Sequence, residues 1–156
     1  MPPGERRAWE RVAVVGARLH PDLSIVREYV TGLASHVIVV TGGAEGVDTE
    51  AEVACRASGR GVVVWSPSGP VRRCIAPGVD MHRLLTIGRR DPVTGRDAIM
   101  LRNTLIAIEC DRMVVFPDGS RGGCWDAARE AVRLRRPVEI RRVNGDCRPF
   151  TTGGGS

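Results

Sequence analysis

"HVIVVTGGAEGVDTEAEVA", residues 36–54, decides the fold. Its first part, "HVIVVTGG" (36–43), is a continuous β-branched run, the signature of a strand covered on both faces. Its second part changes period: Val47, Ala51, Ala54 and the following Cys55 fall on one face of a helix. Between the two lie Gly42, Gly43 and Gly46. Such glycines serve a tight strand-to-helix turn. They also clear side chains away, so that a phosphate can reach the free N–H groups at a helix start.

The same alternation extends outward. "RVAVVGAR" (11–18) is a strand ending at Gly16, and "LSIVREYVTGLA" (23–34) carries a helical stripe at positions 23, 26, 30 and 33. "GVVVWSP" (61–67) is a third strand, stopped by Pro67. "DAIMLRNTLIAIEC" (97–110) predicts a helix with Ala98, Leu101, Leu105 and Ile108 on its inner face. "RMVVFP" (112–117) is a fourth strand, "GGCWDAAREAVRLRR" (122–136) a helix and "PVEIRRV" (137–143) a fifth strand. Apolar strands alternating with helices pair in parallel with both faces covered. The expected class is α/β: a Rossmann-like three-layer sandwich with a mainly parallel sheet of five or more strands. Residues 1–10 read as a loose arm, 11–145 as a single domain and 146–156, with its linker-like "TTGGGS", as a flexible tail. Residues 68–96 are rich in Pro, Gly and Arg and carry the weakest pattern, with "MHRLLTI" a short helix or strand.

Composition narrows the function. The chain has 156 residues and a net charge of +5, and all 23 of its basic residues are arginine. A GC-rich coding bias accounts for that choice, while the charge suits a nucleotide or a nucleic acid equally. The five cysteines form no CxxC pair, so neither a disulfide scaffold nor a zinc ribbon is expected. Cys74 and His82 lack ligand partners at usable spacing; no metal and no cofactor are expected. No apolar run approaches the roughly 20 residues of a membrane span, and "MPPGERRAWE" has no apolar signal core. No membrane partner and a cytoplasmic location are expected. There is no GxGxxG after the first strand and no Walker A lysine, which disfavours ordinary NAD binding and P-loop hydrolysis.

Ligands of open parallel sheets bind beyond the carboxyl ends of the strands. Three glycine-bearing loops fall there: Gly16-Ala17-Arg18, Thr41 to Gly46, and Pro117 to Gly123. Together they predict a seat for a phosphate-bearing small molecule.

"VAVVGAR", "VVTGGAEGVDTEAEVA", "LRNTLIAIECDRMVVFP" and "GSRGGCWDAAREA", in that order, resemble the SLOG superfamily of DprA/Smf-like, LOG-like and YpsA-like Rossmann-type proteins. The resemblance spans residues 12–140. It implies that Gly42, Gly43 and Gly46 shape the second loop, with Asp48 near its helix start. It implies that Arg102 takes the place of a catalytic arginine at the mouth of the site, followed by Asn103. It also implies that Pro117, Gly119, Ser120, Gly122, Gly123 and Cys124 hold a nucleotide phosphate, with Gly16, Ala17, Arg18 and Thr41 completing the binding set. LOG-like enzymes end their glycine motif on a catalytic glutamate, whereas this chain has Ala127 there and Asp126 one residue earlier. A helix turns about 100° per residue, so Asp126 points elsewhere unless the loop shifts. Glu45, Asp48 and Glu50 are alternative carboxylates from the neighbouring loop, and Asp48, Glu50 and Asp126 are the catalytic candidates.

Two classes of function follow. One is cleavage of the N-glycosidic bond of a nucleoside 5′-monophosphate, with Arg102 and a carboxylate supporting oxocarbenium-like charge. The other is a non-catalytic module that binds a nucleotide, a nucleotide signal, a pterin cofactor or, DprA-like, single-stranded DNA. Cys124 begins a helix, which lowers a thiol pKa, but no partner His is evident, so it is expected to pack as a small residue beside the phosphate. Trp65 and Trp125 can stack on a base, though core or interface packing is the commoner use of tryptophan. Homodimer or higher assembly is expected from the resemblance.

Overall fold

The computed structural model describes residues 9–66, 71–75, 85–86, 95–119 and 122–151. Expectations for Ser120, for His82, for the side chain of Cys74 and for the arm at 1–8 lie outside the described residues. In chain order the elements are β1 (Glu10–Gly16), α1 (Ser24–Thr31), β2 (Val37–Thr41), α2 (Val47–Ala57), β3 (Val62–Ser66), β4 (Val71–Ile75) and β5 (Leu85–Thr86). There follow α3 (Gly95–Glu109), β6 (Arg112–Phe116), α4 (Gly123–Arg133), β7 (Val138–Arg141) and β8 (Cys147–Pro149).

Among the described residues the strands form one eight-stranded sheet in the order β5-β4-β3-β2-β1-β6-β7-β8. The five strands expected from the sequence are its parallel centre, β3-β2-β1-β6-β7. Antiparallel strands extend both edges: β4 and β5 beyond β3, and β8 beyond β7. β8 corrects the expected tail. Residues 147–149 pair with Arg141, Ile140 and Glu139, and the Phe150 amide donates to the Val138 carbonyl at 2.8 Å. Asn144-Gly145 makes the turn, Gly145 with φ +88° and the Asn144 side chain accepting from the Asp146 amide.

Period-two alternation in the strands sorts the core into two layers. Val12, Val14, Val39, Val62, Val64, Val114 and Phe116 face α1 and α2, where they meet Val26, Val30, Val47, Ala51, Ala54 and Cys55. Ala13, Val15, Val40, Val63, Met113 and Val115 face α3 and α4, where they meet Ile106, Ala107, Cys124, Ala127, Ala128 and Ala131. Each large side chain fully buried here contributes about 1.5–3 kcal/mol. Among the described residues no helix is long and apolar enough to cross a membrane.

The inner face of α3 differs from expectation. Arg102, Asn103, Ile106 and Ala107 are buried, while Ile108 is exposed and Leu105 only partly covered. Hydrophobic periodicity cannot select a buried stripe whose first two members are polar.

From β1 the chain moves to β2 on one side, and β6 later pairs with β1 on the other. This reversal flanks β1 and opens a crevice at the carboxyl edge of the sheet. Main-chain bonds tie the crevice together: the Ala17 amide donates to the Phe116 carbonyl at 3.0 Å, and the Ala17 carbonyl accepts from the Val47 amide at 3.2 Å. Gly46 passes so close that a β-carbon there would lie 2.4 Å from the Arg18 carbonyl oxygen and 2.5 Å from that of Ala17. Its φ of +81° is also one that side chains avoid. Gly46→Ala is therefore expected to cost about 2–4 kcal/mol in urea unfolding. Gly59→Ala, at φ +68° but in open space, should cost only about 1 kcal/mol.

Candidate nucleotide site

The loops after β1, β2 and β6 converge on one cavity of about 610 Å³. Gly16, Ala17, Arg18 and Leu19 come from the first loop, Gly43, Ala44 and Glu45 from the second, and Asp118, Gly122 and Gly123 from the third. Helices complete it: Asp48 from α2, Ile99, Arg102, Asn103 and Ile106 from α3, and Cys124 and Ala127 from α4.

Its polar floor is buried. Asp48, Arg102 and Asn103 are 4%, 8% and 2% exposed. Arg102 donates through Nη1 to the Gly42 carbonyl and through Nη2 to Asn103 Oδ1, each at 3.2 Å. The Ala44 amide reaches Asp48 Oδ2 at 3.4 Å. Gly42 keeps the two charges apart: a β-carbon on it would lie 2.7 Å from Asp48 Oδ2 and 3.2 Å from Arg102 Cζ and Nε. Three polar atoms of this floor meet no hydrogen-bond partner, namely Asp48 Oδ1, Arg102 Nε and Asn103 Nδ2. A buried group left in that state costs about 1–3 kcal/mol, a cost that a bound ligand or water removes.

Burial dominates the electrostatics. It pushes the Asp48 carboxyl up to about 6, against the pull of the Arg102 charge and then of the Ala44, Gly16 and Gly42 amides. Burial lowers the Arg102 pKa, and the Asp48 charge partly restores it. The Cys124 thiol is buried. Burial, followed by the charges of Asp48 and Asp118, pushes it up to about 11, so the helix dipole does not prevail.

Other expected residues go elsewhere. Glu50 pairs with Arg27 at 2.9 Å, and Asp126 pairs with Arg129 on the surface of α4; neither lines the cavity. Ala127, the position of the LOG glutamate, does line it and brings no carboxylate. Thr41 is a tether inside the sheet, donating to the Val14 carbonyl at 2.7 Å. Gly42, Gly46, Pro117 and Gly119 shape the loops without lining the cavity. Trp65 is buried, with Nε1 donating to Glu109 at 2.8 Å, and Trp125 packs against Phe150, so neither forms a wall. Leu19, Ile99 and Ile106 were missed; the apolar wall they build has no motif, because each lies outside the glycine loops or on the misassigned face of α3. Among the described residues no group of three or more His, Cys, Asp or Glu could hold a metal ion.

The family model for DNA recombination-mediator protein A matches residues 4–154. Among solved structures, the chain is similar to DNA processing protein A (DprA) from Streptococcus pneumoniae, with a TM-score of 0.69 and 23% identity over 85% of this chain and 50% of that one. It thus spans about half the length of that protein. It is also similar to DNA processing protein A from Helicobacter pylori, whose structure concerns a single-stranded DNA binding mode, with a TM-score of 0.63 and 20% identity over 88% and 68% of the two chains. A structural-genomics target, TM1055, gives a TM-score of 0.51 and 20% identity over 83% and 72%. At these identities the likeness is one of fold. No curated protein sequence matches the chain.

The raised carboxyl makes stability depend on pH. Folded, Asp48 takes up its proton at about 6 rather than 3.8, so the folded state binds more protons between those values. Its stabilising contribution is complete below 3.8 and is lost as pH rises through about 6. Asp48→Asn is expected to flatten this fall, measured as the urea midpoint against pH across that window.

Proposed function

Because the chain belongs to the DNA recombination-mediator protein A family, within the SLOG superfamily, we propose that its cavity binds one nucleotide, free or as a member of a single strand, without cleaving it. One observation carries this reading. Three buried side chains present an acceptor, Asp48 Oδ1, and two donors, Arg102 Nε and Asn103 Nδ2, to a cavity that they line and leave those atoms without partners. A nucleotide offers donors and acceptors for all three. The apolar wall of Leu19, Ile99 and Ile106 suits the face of a base. The open N-terminal turn of α4, where a β-carbon on Gly123 would meet nothing within 4 Å, leaves room for a phosphate against main-chain amides. The single-stranded DNA binding named for the Helicobacter pylori protein points the same way.

A second reading, glycosidic cleavage of a nucleoside 5′-monophosphate, rests on Asp48. Its carboxyl, raised to about 6 beside Arg102, suits acid–base work at neutral pH. Ala127 and the outward-facing Asp126 weigh against it. Self-association through α3, whose Ile99, Met100 and Ile108 are exposed, and a cytoplasmic location complete the proposal.

Nucleoside monophosphates are expected to raise the melting temperature and to remain intact. Asn103→Ala, which removes one donor, should weaken them about five- to tenfold by calorimetry. Chromatographic detection of free base would replace the binding reading with the enzymatic one. A wild-type chain that binds no nucleotide at all would remove both.

A further inference from the structure

The charges are divided unevenly between the cavity and its flank. Two arginines, Arg18 and Arg102, and three acids, Glu45, Asp48 and Asp118, line the cavity, and Arg18 is already opposed by Glu45 at 3.7 Å. That balance does not draw in a polyanionic backbone. The stretch 122–151, by contrast, holds seven arginines and four acids, a surplus of three within a whole-chain net charge of +5. Its four acids are each engaged by an arginine: Asp126 by Arg129, Glu130 by Arg133, Glu139 by Arg141 and Asp146 by Arg148. Of the other three, Arg135 and Arg136 follow α4 at the far edge of the sheet, where Arg136 donates to the Ala107 and Ile108 carbonyls, and Arg142 is the one at the carboxyl edge.

Arg142 lies beside an aromatic pair. Its Cζ is 5.8 Å from the centre of the Trp125 ring, which packs against Phe150 with centroids 5.7 Å apart. The place is set by topology. Trp125 belongs to the first turn of α4, between the cavity-lining Cys124 and Ala127. Arg142 follows β7, which is parallel to β6, so it stands at the same carboxyl edge as the cavity loops.

Resting on the nucleotide reading of the cavity, we infer that this flank is a second contact for single-stranded DNA. A base next to the one in the cavity stacks on Trp125, and the joining phosphodiester runs past Arg142. The stacking needs no sequence, because every base has a π-face. The guanidinium sits near the outer limit of a cation–π contact, so a base displaces it from the ring and the charge then meets the phosphate.

The test compares a fluorescein-labelled oligothymidylate with thymidine 5′-monophosphate on the whole chain. Trp125→Leu is expected to weaken the oligonucleotide about tenfold by anisotropy, and Trp125→Phe to restore most of the loss. Both should leave the monophosphate affinity, read by calorimetry, within about twofold. Arg142→Gln, a change at the surface, should lower the slope of log affinity against log salt by about 0.7. Equal losses for both ligands, or an unchanged oligonucleotide affinity and salt slope, overturn the flank while the cavity reading stands. Oligonucleotide binding that still depends on Trp125 and Arg142 in a chain that ignores the monophosphate supports the flank and removes the cavity. A wild-type chain that binds no oligonucleotide overturns the flank outright.

Discussion

A buried carboxylate and a buried guanidinium, spaced by one glycine, govern the carboxyl edge of this sheet. Asp48 begins α2 and Arg102 lies within α3, helices on opposite faces of the sheet, and the Gly42 loop between them is gripped from both sides. Taking two such charges out of water costs several kcal/mol each, and their attraction recovers that only with good geometry and full hydrogen bonding. Here the bonding is incomplete, since each residue keeps one unpartnered atom. Hydrophobic residues of similar volume would make a more stable floor. A costly arrangement kept in a crevice is an observation that supports the proposed ligand site.

The glycines of the second loop follow from the same constraint. Gly42 leaves space for the two charges, and Gly46 lets the loop pass under the carbonyls of Ala17 and Arg18. At these positions turning the chain and leaving space for neighbouring protein groups go together. The main-chain contacts that hold Ala17 between β6 and α2 also fix the first loop where it lines the cavity.

The parallel centre was legible because β1, β2, β3 and β6 carry apolar, β-branched runs, β7 alternates Val138 and Ile140 with polar residues, and α1, α2 and α4 each carry one clean apolar face. The edges were not. The β7–β8 hairpin announces itself only through Asn144-Gly145, a turn signal followed by the polar, unalternating Cys147-Arg148-Pro149. β4 hides behind Pro67 and Pro70, where the chain reads as loop. α3 misled for a different reason. It is apolar around most of its circumference, and the residues it buries for the site, Arg102 and Asn103, are ones that a search for hydrophobic stripes discards. The cavity was foreseen through its glycine loops. Helix geometry alone already turned Asp126 aside, whereas Glu50 could not be told from Asp48 in sequence, because its pairing with Arg27 of α1 is a tertiary contact.

The two ends of the sheet bear on how copies of the chain can meet. Among the described residues, one outermost strand is two residues long, and the other is three long and ends in Pro149, which offers no main-chain donor. Short margins of this kind give an incoming strand too few rungs to add to, so the sheet resists end-to-end growth into fibres. The proposed self-association through the helical layers would instead rest on contact surfaces set by side-chain shape rather than on the indiscriminate pairing of backbones.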